Sequence, residues 1–320
     1  MNMTIKHMVR ASLFILIFVL LMVGLSFVFR PKNNSRDEGM DFAEANGILG
    51  EPENTIDVLY IGDSEVYNGI SPLEIWNNRG ITGYDCATGA QQILSSWNFV
   101  EQAFETQKPR VVVIETTVLF RKFGAEKWFE EQLRYHFPMF RFHDRWKYLK
   151  ANDLKFSYQT TWSDPLKGFR LFKKVSGFEP DEEYRKPTEK KVKMNRFSRL
   201  YLQKMQALCD THGAQLVLLS LPTTKNWNFG RHNSIQHYAE EHGLVYLDMN
   251  LLPESEFSID WMKDTKDKGD HLNYTGAVKA SGYLATYLAE SFGLEDHRSD
   301  PRYEHWDAYW KTYLTLVDEN

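Results

Sequence analysis

Apolar positions fall into two kinds of pattern along this chain. Residues 11–29 read ASLFILIFVLLMVGLSFVF, nineteen positions without a charge. As a helix this run is about 29 Å long, close to a hydrocarbon core of roughly 30 Å. Farther on, the apolar runs are short and β-branched. Residues 55–61 (TIDVLYI) end at Gly62, and Val111–Glu115 (VVVIE) follows Pro109. Residues 215–221 (QLVLLSL) stop at Pro222, and residues 244–247 (LVYL) stop at Asp248. Each reads as a buried strand entering a turn. Helical periodicity fills the intervals at 96–107, 196–212, 234–242 and 274–292. Strands alternating with helices predict a parallel sheet with helices on both faces, an α/β fold.

The stretch 121–195 breaks that alternation and carries Trp128, Trp146 and Trp162. It reads as a partly helical insertion covering one edge or mouth of the sheet. Residues 296–320, with Trp306, Tyr309, Trp310 and Tyr313, read as an amphipathic helix folded back onto the domain. The organisation expected is an anchor at 1–30, a polar tether at 31–54, an α/β domain over 55–295 with its insertion at about 121–195, and a helical tail at 296–320.

A cleaved signal peptide competes with the anchor. Its apolar region usually spans about 7–15 residues and ends at a small-residue cleavage site. Here the run passes straight into Phe29-Arg30-Pro31-Lys32, which favours an uncleaved span. Lys6 and Arg10 flank one end, and Arg30, Lys32 and Arg36 flank the other, so positive-inside counting leaves orientation undecided. A single anchor at the N-terminus most simply leaves the rest of the chain extracytoplasmic.

The formal net charge of -5 conceals unlike segments. Residues 1–36 carry +5, residues 37–120 carry -11, residues 121–205 carry +10 and residues 206–320 carry -9. An acidic total argues against a general nucleic-acid binder. The basic surplus includes Arg134, Arg141, Arg145 and Lys147 among Tyr135, Phe137, Phe140, Phe142 and Trp146, with Lys190, Lys191 and Lys193 later. Its plain reading is a solvated helical face over packed aromatics. Its sharper reading is a surface for an anionic polymer or lipid headgroups. Two cysteines, Cys86 and Cys209, exclude a disulfide scaffold and a four-cysteine zinc site and read as buried thiols.

In an open parallel sheet, chemistry collects at the carboxyl ends of the strands. The first strand delivers Gly62-Asp63-Ser64-Glu65 there, a turn that exposes a serine Oγ and aims N–H groups at a developing oxyanion. Near the other end, Asp267-Lys268-Gly269-Asp270-His271 precedes the last helix, for which Asn273 is a plausible N-cap. A histidine beside carboxylates suits a general base oriented by an acid. An EF-hand reading of Asp264, Asp267 and Asp270 fails, because its third and fifth positions are Lys266 and Lys268 and its twelfth is Thr275. No metal or cofactor is expected.

With these residues in place, the sequence resembles the SGNH (GDSL-like) hydrolase superfamily. Gly62-Asp63-Ser64 resembles its first block, Gly89 in Ala87-Thr88-Gly89-Ala90-Gln91 its glycine block, and Asp267…His271 its final Asp-x-x-His block. The closer likeness is to membrane-anchored Firmicute-type members, and it extends to proteins of polysaccharide O-acetylation and teichoic acid D-alanylation. The resemblance implies a flavodoxin-like three-layer fold and a Ser64 nucleophile deprotonated by His271. It also implies an oxyanion hole from the N–H groups of Ser64 and Gly89. Two departures stand out. The asparagine that the family places after the third strand is absent from Ile114-Glu115-Thr116-Thr117, leaving Thr116, or Gln91 or Gln92, as the substitute donor. Lys268 stands three residues before His271, so Asp267, four before, is the favoured acid and Asp270 the alternative. The function implied is that of an extracytoplasmic esterase or O-acyltransferase acting on cell-envelope polysaccharide or teichoic acid. It could work beside a multi-spanning acyl-transfer protein. The rival is a non-catalytic accessory or glycan-binding protein on the same fold.

Overall fold

The computed structural model describes residues 3–160 and 162–319. Five strands form one parallel sheet: β1 (Val58–Gly62), β2 (Gly83–Ala87), β3 (Val111–Glu115), β4 (Gln215–Ser220) and β5 (Val245–Asp248). Their spatial order is β2-β1-β3-β4-β5. This is the flavodoxin-like order, with its switch point between β1 and β3. Every residue of β1, β2 and β3 is buried, as expected of a sheet covered on both faces.

Side chains alternate between faces along a strand. Val58 and Tyr60 of β1, Val111 and Val113 of β3, and Val217 and Leu219 of β4 share one apolar cluster with Leu284 and Leu288. That face is closed by α2 (Ser64–Gly69), α3 (Pro72–Arg79) and α8 (Tyr274–Phe292). The opposite layer contains α4 (Ile93–Phe104) and α6 (Arg196–His212), which pack on each other, while α7 (Phe229–His242) packs on β5. The ends of these helices are written in the sequence. Asn195, Asn228 and Asn273 accept N-cap bonds, and Gly213, Gly243 and Gly293 close α6, α7 and α8 in the left-handed conformation.

β2 was hidden from periodicity, because GYDCA holds only a broken apolar run around the buried Asp85. The C-terminal α9 (Glu304–Glu319) begins after a turn at Pro301–Tyr303 and buries Trp306 and Tyr313. Trp306 packs on Trp76, and the Tyr313 hydroxyl donates to Glu74.

The chain divides into two compact units. The sheet and its helices belong to Glu44–Phe123 with Ser163–Asn320. The other unit is Met1–Ala43 with Gly124–Trp162. It contains the apolar α1 (Met3–Phe29), α5 (Ala125–His136) and a series of short 3-10 turns. Within α1, Ile5–Phe29 is long and apolar enough to cross a bilayer. Part of the expected tether is built into the sheet unit: Glu51 is fully buried and takes an ion pair from the equally buried Lys167 at 2.6 Å. Cys86 and Cys209 are free, buried thiols.

Candidate active site

β1 ends at Gly62, where an added Cβ would fall 2.4 Å from Val66 and 2.9 Å from the Glu115 Cβ. Only glycine lets the chain turn this tightly into α2. Asp63 then caps α2 through the Glu65 N–H at 3.0 Å, and its other oxygen pairs with Arg121, whose Nε donates at 2.8 Å. Ser64 opens the helix. From Val58 to Trp76 every residue is buried except Ser64, so the turn presents one side chain outward. At this first helical position the N–H groups have no intrahelical partner, which suits them to a developing negative charge.

His271 comes from the loop between β5 and α8. Its Nε2 lies 2.8 Å from Ser64 Oγ, and its Nδ1 lies 2.7 Å from Asp267 Oδ2. Asp267 Oδ1 also accepts the His271 backbone N–H at 2.7 Å, so one carboxylate fixes both chain and ring. The spacing of four is accommodated by two successive left-handed residues, Lys268 at φ 59° and Gly269 at φ 78°. A Cβ on Gly269 would lie 2.4 Å from both Phe178 and the Thr224 hydroxyl. Asp270, the alternative acid, stands 3.8 Å from Nδ1, and its Oδ1 accepts instead from Asn226 at 2.8 Å.

Gly89 follows β2 in an exposed turn, and its Cβ position would lie 3.7 Å from the hydroxyl of Tyr67, on the helix that Ser64 opens. Thr116 is differently placed. Its hydroxyl lies 2.6 Å from Ser220 Oγ, which lies 2.9 Å from the Tyr246 hydroxyl, which donates to Asp248 at 2.8 Å. Because the tyrosine proton faces Asp248, Ser220 must donate to Tyr246 and Thr116 to Ser220. The Thr116 side chain therefore has no proton left for an oxyanion, which corrects the role expected of it. Gln91 is engaged as well, its amide donating to Cys86 O and Ser96 Oγ while its oxygen accepts from Thr88.

Three further groups around the serine were not singled out from the sequence. Asn226 uses its two amide protons to bridge Glu65 Oε1 and Asp270 Oδ1, each at 2.8 Å. Asn68 donates to the Ser64 carbonyl at 2.6 Å and accepts from Lys266 Nζ at 2.8 Å. Burial lowers the Lys266 ammonium, which also lies 3.8 Å from the Phe172 ring centre. The available signal was positional: Asn226 follows Pro222 at the carboxyl end of β4. Burial holds the Glu65 and Glu115 carboxyls well above the usual range, with neighbouring Asp63 adding to both. Among the described residues, Glu65, Asp270 and His271 bring ligand atoms within 4.8 Å of one another, a grouping that could hold a cation. Both of its carboxyls already accept from Asn226. A cavity of about 10 Å³, room for one water, lies beside Thr116, Ser220 and Asn226.

No family model matches the chain, and no curated protein matches it. Among solved structures it is similar to a lipase/acylhydrolase from Enterococcus faecalis, at 10% identity and a TM-score of 0.38, covering 74% of this chain and 96% of that one. A GDSL-like lipase from Bacteroides thetaiotaomicron matches at 9% identity and a TM-score of 0.36, covering 74% and 87%. A catalytic mutant of an acetylxylan esterase from Geobacillus stearothermophilus matches at 12% and 0.35, covering 77% and 98%. These likenesses are distant, and the functional reading rests on the geometry around Ser64.

Proposed function

We propose that this chain is a membrane-anchored, extracytoplasmic serine esterase or O-acyltransferase of the SGNH (GDSL-like) superfamily. Its substrates would be acyl esters of cell-envelope polysaccharide or teichoic acid. The observation that carries the reading is His271, which bridges Ser64 Oγ at 2.8 Å and Asp267 Oδ2 at 2.7 Å. In this arrangement Asp267 keeps a proton on Nδ1, so Nε2 presents its lone pair to the serine.

The chemistry then runs in two halves. Ser64 Oγ attacks the ester carbonyl while His271 Nε2 takes its proton, and the oxyanion forms against the N–H groups of Ser64 and Gly89. Collapse of the tetrahedral adduct breaks the bond to the alcohol oxygen, which receives the proton from His271 and leaves an acyl-serine. In the second half His271 deprotonates a water or a carbohydrate hydroxyl. That oxygen takes the acyl group, and the proton returns to Ser64. An acyl-transfer partner spanning the membrane would supply or receive such groups.

One observation favours the second reading, a non-catalytic accessory protein on the same fold: the Thr116 proton is directed to Ser220, where the family carries a donor asparagine. One experiment separates the two. The full chain in detergent is exposed to a fluorescent phosphonate, with Ser64→Ala as control. Labelling of the wild type alone is expected, and a folded wild type that takes no label overturns the catalytic reading.

A further inference from the structure

We infer that residues 138–158 form a collar that lies in the lipid headgroup layer and clasps the last turns of α1. The inference rests on α1 being a membrane anchor and is independent of the chemistry at Ser64.

The collar is fastened to the helix end by polar contacts that a simple loop would lack. Helix carbonyls in the last turn have no intrahelical partner. Arg145 Nη1 donates to the Phe29 carbonyl at 2.6 Å while its Nη2 holds the buried Asp153 at 2.7 Å. Lys32 Nζ donates to the Phe27 carbonyl at 2.6 Å, and the Met139 N–H reaches Ser26 Oγ. Cations at a helix C-terminus also suit its dipole. The Phe156 and Phe27 rings meet at 4.5 Å, and Arg30 lies over the Tyr158 ring at 5.1 Å.

The length of bare helix then decides where this collar must sit. Within α1, Met22 and Ser26 are buried and residues 27–29 are half-buried, whereas Ile5 to Leu21 and Val23 to Leu25 are exposed. The uncharged stretch that ends at Leu25, counted from Ala11, measures about 22 Å. That falls short of the roughly 30 Å of a hydrocarbon core. A spanning α1 therefore brings the wrapped turns, and the collar around them, to the edge of the bilayer.

The outward side chains match that position. Phe156 is 90% exposed, and Tyr148, Leu154 and Trp146 are exposed by 74%, 65% and 62%. Lys147, Lys150 and Lys155 lie among them. In water such a surface is a liability. At a membrane interface, aromatic rings occupy the headgroup level and lysines meet anionic lipid.

The test uses the full chain in vesicles of phosphatidylcholine and phosphatidylglycerol. Tyr148→Cys and Leu154→Cys are each labelled with an environment-sensitive fluorophore, the native Cys86 and Cys209 being buried. An interfacial helix or collar sinks about 5–10 Å into the headgroup boundary, so lipids bearing a shallow nitroxide should quench both labels by about half. Aqueous iodide should quench them little. Labels quenched by iodide but not by nitroxide, in a chain that resists carbonate extraction, overturn the collar alone. A response to soluble anionic polymer without lipid quenching overturns it too, and a chain released by carbonate overturns collar and anchor together.

Discussion

Replacing Asp267 with asparagine separates the two carboxylates that flank His271. Asp267 accepts two N–H groups at 2.7 Å, the His271 backbone and ring Nδ1. An amide has one oxygen and one NH2 group. If the oxygen keeps the backbone N–H, the NH2 faces Nδ1, which must then give up its proton. The ring proton moves to Nε2, which points at Ser64 Oγ and no longer accepts from it. A wrong tautomer in an otherwise intact triad costs on the order of 10³–10⁴ in rate, about 4–5 kcal/mol of barrier. Asp270 stands 3.8 Å from Nδ1 with its side chain 41% exposed, and a solvent-screened pair of this kind is worth about 1 kcal/mol or less. Asp270→Asn should therefore lose less than about tenfold. The assay is the burst of p-nitrophenol released by p-nitrophenyl acetate during acylation of the full chain. If Asp270→Asn falls as far as Asp267→Asn, or Asp267→Asn stays within tenfold of wild type, the assigned geometry is wrong.

Three further outcomes follow from the same contacts. Thr116→Val should lower the acylation rate by less than tenfold, since an oxyanion donor is worth roughly a hundredfold or more; a hundredfold loss with unchanged KM would return Thr116 to the oxyanion hole. Gly269→Ala should lower stability by about 2–4 kcal/mol, from a strained φ of 78° and the 2.4 Å approach to Phe178, and an unchanged thermal midpoint would contradict this. Burial raises Asp164 from 3.8 to about 6, so its contribution to stability is most favourable below about pH 4 and declines as pH rises toward 6. The decline amounts to about 3 kcal/mol. Asp164→Asn, which can keep the bond from the Gly168 N–H, should flatten thermal unfolding between those pH values; parallel curves for mutant and wild type would exclude the shift.

β3 and β4 were legible because each is an unbroken apolar run, and β1 because its run ends at a glycine. β2 was not, since its middle residue is a buried aspartate whose carboxyl oxygens have no partner among the described residues. α7 starts at Phe229 rather than at 234, because the Asn228 cap sets the boundary and FGRHN carries little apolar periodicity. At the site, serine, histidine and both aspartates could be named from local spacing. Gly269 announces a bend that makes a spacing of four workable, but not that Lys268 joins it in the left-handed region. Asn226 lies 161 residues from Glu65, and Ser220 lies 104 from Thr116. Contacts across such separations exist only once β3 and β4 pair, so no local pattern announces them.

The acidic balance of residues 37–120 takes on a different meaning around Ser64. Asp63, Glu65 and Glu115 are all buried around the turn that carries Ser64. Three ionised carboxylates there would oppose any build-up of negative charge on an oxygen held by the adjacent N–H groups. The structure disposes of them separately. Asp63 is paired with Arg121, while burial pushes Glu65 and Glu115 toward their neutral forms. The Glu65 carboxyl accepts from Asn226 and the Glu115 carboxyl from the Thr117 N–H. An unpaired buried carboxylate next to Ser64 would cost several kcal/mol on its own. The formal charge of this segment thus overstates what the site experiences. The remaining carboxylate in direct contact with His271 is Asp267, which in the proposed reaction would stabilise the imidazolium formed as Ser64 attacks.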